Sequence, residues 1–199
     1  MYLPFLGMFL FLVFYILAAA NYPGGSWQEF DSEGFSLINN YLCDLLDEYA
    51  INGELNRGRY FARFALGALC LSILQIWMVL PGIFDRDGFN IGLMRISGVL
   101  ALITVCFLSS EQHDTIVYLA GILGSVAFIC CFMELYRNGY TMLLFLGIFC
   151  FALFLLNYYM YESRQFVELL PLMQKVTMLL IICWFSMLNF KIIRAFKSQ

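Results

Sequence analysis

The sequence predicts an all-α fold: a polytopic transmembrane bundle of six helices, one domain over 1–199, with a short amphipathic helix in the first outer loop. Three observations carry this expectation. Of the 199 residues, 62% are hydrophobic and only 13% charged, with a mean hydropathy of +0.81. A soluble domain is about half apolar and about a quarter charged, and at this length it leaves about a third of its unfolded surface in water. A water-soluble fold therefore cannot hide this composition. The apolar residues also gather into six runs, each near the ~20 residues that a hydrocarbon layer of about 30 Å requires. Finally, every connection between the runs is short except the first. These features exclude a soluble globular enzyme, a disordered chain and a nucleic-acid binder, the last because a net charge of −3 offers no basic surface.

The runs are 3–20, 61–84, 91–109, 115–134, 140–161 and 169–190. The first ends in Ala18-Ala19-Ala20, which imitates a signal-peptide cleavage site, but no Lys or Arg precedes it. It reads as a retained helix. Pro81 falls late in the second run, where a missing N–H is tolerated. Arg95 and Lys175 stand one turn inside the third and sixth runs, placed to snorkel toward the headgroups. Ala68 with Ser72, and Gly121 with Ser125, are small residues four apart that permit close helix approach. Trp27, Trp77, Trp184 and many tyrosines near the run ends read as interfacial anchors.

The long loop, 21–60, carries Phe35, Leu37, Ile38, Leu42, Leu45 and Leu46 at helical spacing, with Ser36 placed to cap. This predicts an amphipathic helix over about 36–50, lying on the membrane face. Six basic residues, Arg86, Arg95, Arg137, Lys191, Arg194 and Lys197, fall on the side of the tail. Five, Arg57, Arg59, Arg63, Arg164 and Lys175, fall opposite, together with most of the acids. The balance puts both termini in the cytoplasm of a cell bounded by the plasma membrane, with 21–60 outside.

Of the seven cysteines, Cys70, Cys106, Cys130, Cys131, Cys150 and Cys183 lie in apolar runs and read as small buried hydrophobes. Cys43 stands alone in polar sequence, so no disulfide framework is expected. With His113 as the single histidine, no metal site is predicted, and no cofactor is called for. Three polar features share the outer side. Asn40 and Asp44 lie four apart on the loop helix, hence on one face. Asn56-Arg57-Gly58-Arg59 leads into the second run, and Glu111-Gln112-His113-Asp114 forms the turn between the third and fourth. A functional pocket would use Asp44, His113 and Asp114 as its ionisable members, with His113 exchanging a proton near neutral pH. Asn40, Asn56 and Arg59 would bind the ligand, Arg59 through the forked donors that suit a lipid phosphate. The plainer reading makes Asp114 the N-cap of the fourth helix. A Cys43 nucleophile with His113 as base is a further arrangement. The helix centres are free of ionisable groups, which disfavours a pump or channel.

The layout and the segment Asn40-Tyr41-Leu42-Cys43-Asp44-Leu45, followed by Asn56 and by His113-Asp114, resemble the six-span membrane family known as domain of unknown function 998. That family carries Asn-x-x-Ser-Asp-Leu in a long first loop. Cys43 replaces the serine, and Leu46 stands where a glycine often follows. A more distant resemblance is to the Frag1/DRAM/Sfk1 group. The resemblance implies a membrane protein with its polar motif on the outer face and hands over no reaction. The functional expectation is an integral membrane protein whose outer polar cluster recognises a lipid headgroup or a membrane-protein partner. The alternative is a membrane-embedded lipid hydrolase or transferase using Asp44 and His113.

Overall fold

The computed structural model describes residues 2–84, 88–107 and 113–197, with the backbone alone for His113. Six α-helices follow in order: α1 Leu3–Ala20, α2 Arg59–Val79, α3 Phe89–Val105, α4 His113–Arg137, α5 Thr141–Ser163 and α6 Leu170–Lys197. No strand occurs among the described residues, only isolated antiparallel bridges at Gly24 with Glu33 and Tyr49 with Leu55. The all-α expectation holds. By length and composition five helical segments can cross a membrane: Leu3–Ala20, Arg59–Ile83, Asp114–Arg137, Thr141–Ser163 and Val167–Lys197. The segment expected to be the third span is shorter, Phe89–Val105. At about 1.5 Å per residue it reaches about 25 Å. The end of its run, to residue 109, lies outside the described residues.

Helices adjacent in sequence pack as antiparallel neighbours: α1 on α2, α3 on α4, α5 on α6, with α6 closing back on α1 and α2. The α1/α2 contact is tight because Gly7 faces the small pair Ala68 and Ser72. A Cβ on Gly7 would fall on Ser72 Oγ and 2.8 Å from Ala68 O. The close approach expected of this pair is therefore realised. At Gly121 the nearest atom to such a Cβ is Phe154 Cζ at 3.8 Å, an ordinary contact.

The core is aromatic and lies where α2, α4, α5 and α6 meet. Phe128 stacks on Trp184 with ring centroids 5.3 Å apart, and Trp77 meets Phe185 edge-on at 5.8 Å. Trp77 and Trp184 are buried, so they are core residues and not interfacial anchors. Gly98 and Gly147 leave the room each indole occupies. Trp184 Nε1 donates to Leu143 O at 2.8 Å, which satisfies the donor that a buried indole carries. Trp27 alone of the three tryptophans is exposed, on the loop.

Outside this core the helices turn apolar side chains outward. Leu6, Phe9, Ile16, Leu71, Ile122, Phe145 and Leu179 are all exposed. Apolar surface on this scale suits lipid, and the apolar helices are compatible with an integral membrane protein. Cysteines divide along the same line. Cys70, Cys130, Cys131 and Cys150 are buried as expected, while Cys106 and Cys183 are exposed, and all seven are free thiols.

Polar contacts at the two ends of the bundle differ. At the end that holds the chain terminus of α6, Asn90 Nδ2 on α3 donates to Glu134 Oε1 on α4 at 2.7 Å, and Arg137 Nη1 reaches the same oxygen at 2.8 Å. Glu134 is buried; the Asn90 amide, which also donates to Cys130 O at 3.0 Å, ties α3 to α4, and the Arg137 pair within α4 holds the carboxylate in place. At the other end, the loop between α1 and α2 folds into a cap over α1, α2 and α6.

Candidate functional site

The cap is not the amphipathic α-helix that its apolar spacing predicts. Its one helical piece is a 3₁₀ turn at Cys43–Leu46. Leu45 and Leu46 are buried, but Leu37 and Ile38, expected on the same face, are exposed. Side chains have captured the backbone N–H groups that an α-helix would need. Ser36 N–H donates to Asn40 Oδ1 at 2.9 Å, Asn39 N–H to Ser36 Oγ at 3.2 Å, and Tyr41 N–H to Asp44 Oδ2 at 2.8 Å. Leu42 N–H donates across the bundle to Gln174 Oε1 on α6 at 2.8 Å. Ser36 does cap, as its position suggests, but it caps a turn.

Three of the expected binding residues meet inside this cap. Asn40 and Asn56 are fully buried and Asp44 nearly so. Asn40 Nδ2 donates to Asp44 Oδ2 at 3.0 Å and to Gly25 O at 2.7 Å. Asn56 Nδ2 donates to Leu45 O and Asp47 O, each at 3.1 Å. Beneath them lies a second small core of Ala18, Tyr22, Leu45, Leu46, Ala50 and Ala62. Arg59 stands at the edge. Its Nη1 donates to Glu48 O and Asn56 O, while its Nη2 donates to Tyr60 OH and pairs with Glu48 Oε1 at 3.4 Å.

The side chain of His113 lies outside the described residues, as do Glu111 and Gln112. Asp114 lies inside the first turn of α4, the residue after His113, and is not its N-cap. A carboxylate there still faces the positive end of the helix dipole. Asp114 Oδ1 accepts from Tyr161 OH on α5 at 3.0 Å, and nearby Tyr118 OH donates to Glu162 Oε1.

The cap is clamped to the bundle by residues to which the sequence pattern assigns no part in the site. Tyr15 OH on α1 donates to Leu42 O at 2.6 Å. Lys175 Nζ on α6 donates to Asn40 O and to Pro171 O, and lies 5.4 Å from the centre of the Phe35 ring. It turns into the cap and does not snorkel. Arg63 on α2 donates from Nε and Nη2 to Leu46 O at 3.1 and 3.0 Å, and Gln28 reaches Glu168 O at 3.1 Å. The available signal was a set of polar residues, Tyr15, Arg63, Gln174 and Lys175, each within two turns of a helix end in otherwise apolar sequence.

Burial sets the electrostatics of the cap. It pushes the Asp44 carboxyl up from 3.8, opposed by the hydrogen bonds from Asn40 and Tyr41 and by the Lys175 charge, and reinforced by Asp47. The Cys43 thiol is pushed up to about 12, first by burial and then by the Asp44 and Asp47 charges. Nucleophilic cysteines sit in electropositive, partly exposed places that lower the thiol pKa; Cys43, half-buried, has the Asp44 and Asp47 carboxylates beside it instead. Burial also raises Tyr22 to about 12, and its hydroxyl accepts the Ile51 N–H at 3.1 Å. Among the described residues no group of three or more His, Cys, Asp or Glu is placed to hold a metal ion. No protein-family model, curated protein or solved structure matches the chain.

Proposed function

We propose that this integral membrane protein is a recognition module that binds a lipid headgroup at the face carrying the cap. The observation that supports this reading is the clamping of the cap. Side-chain bonds from α1, α2 and α6 fix a folded loop at the level where the helices end, with Arg57 and Tyr60 exposed at its rim. A polar rim held rigid on a helical scaffold is preorganised for a ligand, whereas a free loop would lose entropy on binding. We further propose that the cap faces the outside of the plasma membrane and both termini the cytoplasm, since Lys191, Arg194 and Lys197 lie at the far end.

The test is native mass spectrometry from nanodiscs of defined lipid composition, comparing the wild type with the cap-loosening double variant Asn40→Ala/Asn56→Ala. Headgroup recognition at the cap predicts selective lipid retention that falls in the variant. Equal retention by both would sink it, and retention of a co-purifying membrane protein in place of lipid would move the reading to a protein partner. The second reading, a lipid hydrolase or transferase using Asp44 and His113, is favoured by one observation, the burial of the Asp44 carboxyl, which pushes its pKa up. It predicts turnover of a lipid panel that disappears in both Asp44→Asn and His113→Ala.

A further inference from the structure

Arg59, the arginine expected to hold a lipid phosphate, is engaged by four acceptors, three of them in the cap and the fourth the neighbouring Tyr60 hydroxyl. One turn further along α2 the situation differs. Arg63 lines a cavity of about 180 Å³ together with Leu46, Leu66, Gly67 and Cys106. Arg63, Leu66 and Gly67 recur on one face of α2, Leu46 lines the cavity from the cap, and the exposed Cys106 lines it from the end of α3. Arg63 is exposed. Two of its five N–H donors, on Nε and Nη2, bind Leu46 O. That contact fixes the guanidinium plane and leaves three donors, including both on Nη1. The space beside Gly67 is open, since a Cβ there would meet nothing within 4 Å.

We propose that this cavity is the headgroup site, and that its occupant is a phospholipid whose phosphodiester is bound by Arg63, with the glycerol end of the molecule against Leu46, Leu66 and Gly67. This rests on the headgroup reading above and names its ligand class and its site. Charge complementarity selects the occupant. A guanidinium with adjacent free N–H groups suits the paired oxygens of a phosphodiester, and the apolar walls suit what is attached to it. A free anion would gain nothing from Leu46, Leu66 and Gly67.

The experiment is native mass spectrometry of the full chain from nanodiscs. It uses phosphatidylcholine, with diacylglycerol as the phosphate-free arm and millimolar inorganic phosphate as competitor. Arg63→Gln removes the charge but also the bonds to Leu46 O. Gly67→Leu fills the cavity and keeps Arg63. Both are expected to lower phosphatidylcholine retention by about tenfold or more, the scale of a lost bidentate charge-assisted contact. Gly67→Ala is expected to stay within about twofold because its Cβ meets open space. Wild-type retention that survives both Arg63→Gln and Gly67→Leu would overturn the site while leaving headgroup recognition standing. Absence of lipid on the wild type would overturn both. Equal retention of diacylglycerol, or displacement of the lipid by inorganic phosphate, would overturn the assignment of a phospholipid.

Discussion

Asn56→Ala tests whether the polar centre of the cap holds it folded. One side-chain nitrogen, Nδ2, serves Leu45 O and Asp47 O at 3.1 Å each, with Asp44 O at the 3.5 Å limit. Alanine supplies no donor, and Asn56 is fully buried, so water reaches these carbonyls only if the cap opens or shifts. A buried group left without its partner costs about 1–3 kcal/mol. Two such carbonyls, with partial relaxation, put the cost at about 2–4 kcal/mol. At about 1.4 kcal/mol per tenfold change, the opening equilibrium of the cap rises roughly 30- to 900-fold. The assay is amide hydrogen exchange in detergent or nanodiscs. It reads amides whose bonds lie inside the cap, such as Ala50 N–H to Glu54 O at 2.8 Å and Asn56 N–H to Glu48 O at 2.9 Å. Their exchange is expected to accelerate by that factor, while amides of α4 and α5 remain unchanged. Acceleration below about threefold would refute the reasoning, because the cap would then be held by its apolar floor of Leu45, Leu46 and Ala62 and not by the asparagine.

Lys175→Met keeps the apolar stem and removes the ammonium from Asn40 O; exchange of the Asn40–Asp44 stretch should quicken by about tenfold, the scale of one charged hydrogen bond. Gly7→Leu drives a side chain into Ser72 and Ala68 O, and should lower the thermal midpoint in detergent by displacing α1, at a cost of about 1–3 kcal/mol. Because burial raises the Asp44 pKa, the folded cap holds a proton that the unfolded chain has released above 3.8. Its stability is therefore greatest at low pH and falls as pH climbs from 3.8 through the raised value; Asp44→Asn should flatten that slope in cap proteolysis measured against pH. Cys43, pushed up to about 12 from 9.0, should resist iodoacetamide at pH 8 in the folded protein by a factor of about 10³ in thiolate fraction and react once the chain is denatured.

The helices were legible because a bilayer demands little beyond length and apolarity, and the boundaries of α1, α4 and α5 follow the apolar runs closely. Burial within the bundle was not legible. Trp77 and Trp184 carry the composition of interfacial anchors, yet Gly98 and Gly147 on neighbouring helices make room for them in the core. Nothing in the spacing of a single run records what the neighbouring helix presents. Loop structure failed for a different reason. Phe35, Leu42, Leu45 and Leu46 do have helical spacing, but Ser36, Asn39, Asn40 and Asp44 are interleaved with them. Short polar side chains next to a backbone compete for its N–H groups. In a chain with tertiary acceptors such as Gln174 waiting on another helix, that competition wins.

The same competition decides what the conspicuous residues of the first loop do. In a sequence this apolar, Asn40, Asp44 and Asn56 stand out and invite a functional reading. A loop that crosses the end of a bundle must satisfy every backbone donor and acceptor it buries, and apolar neighbours cannot help. The residues that do so are necessarily polar, short and buried. Asn40, Asp44 and Asn56 meet all three conditions, and their side-chain hydrogen bonds run to the cap's own backbone or to one another. Capacity for a ligand then belongs to polar groups whose donors the fold leaves over. Arg63 is such a group, concealed in the sequence by its place one turn inside an apolar helix. If polarity in this chain had been retained for ligands alone, Asn56→Ala would alter binding without loosening the cap. If the cap's polar centre is a folding device, the loosening comes first and any loss of binding follows from it, a distinction that exchange and lipid retention measured on the same variant resolve.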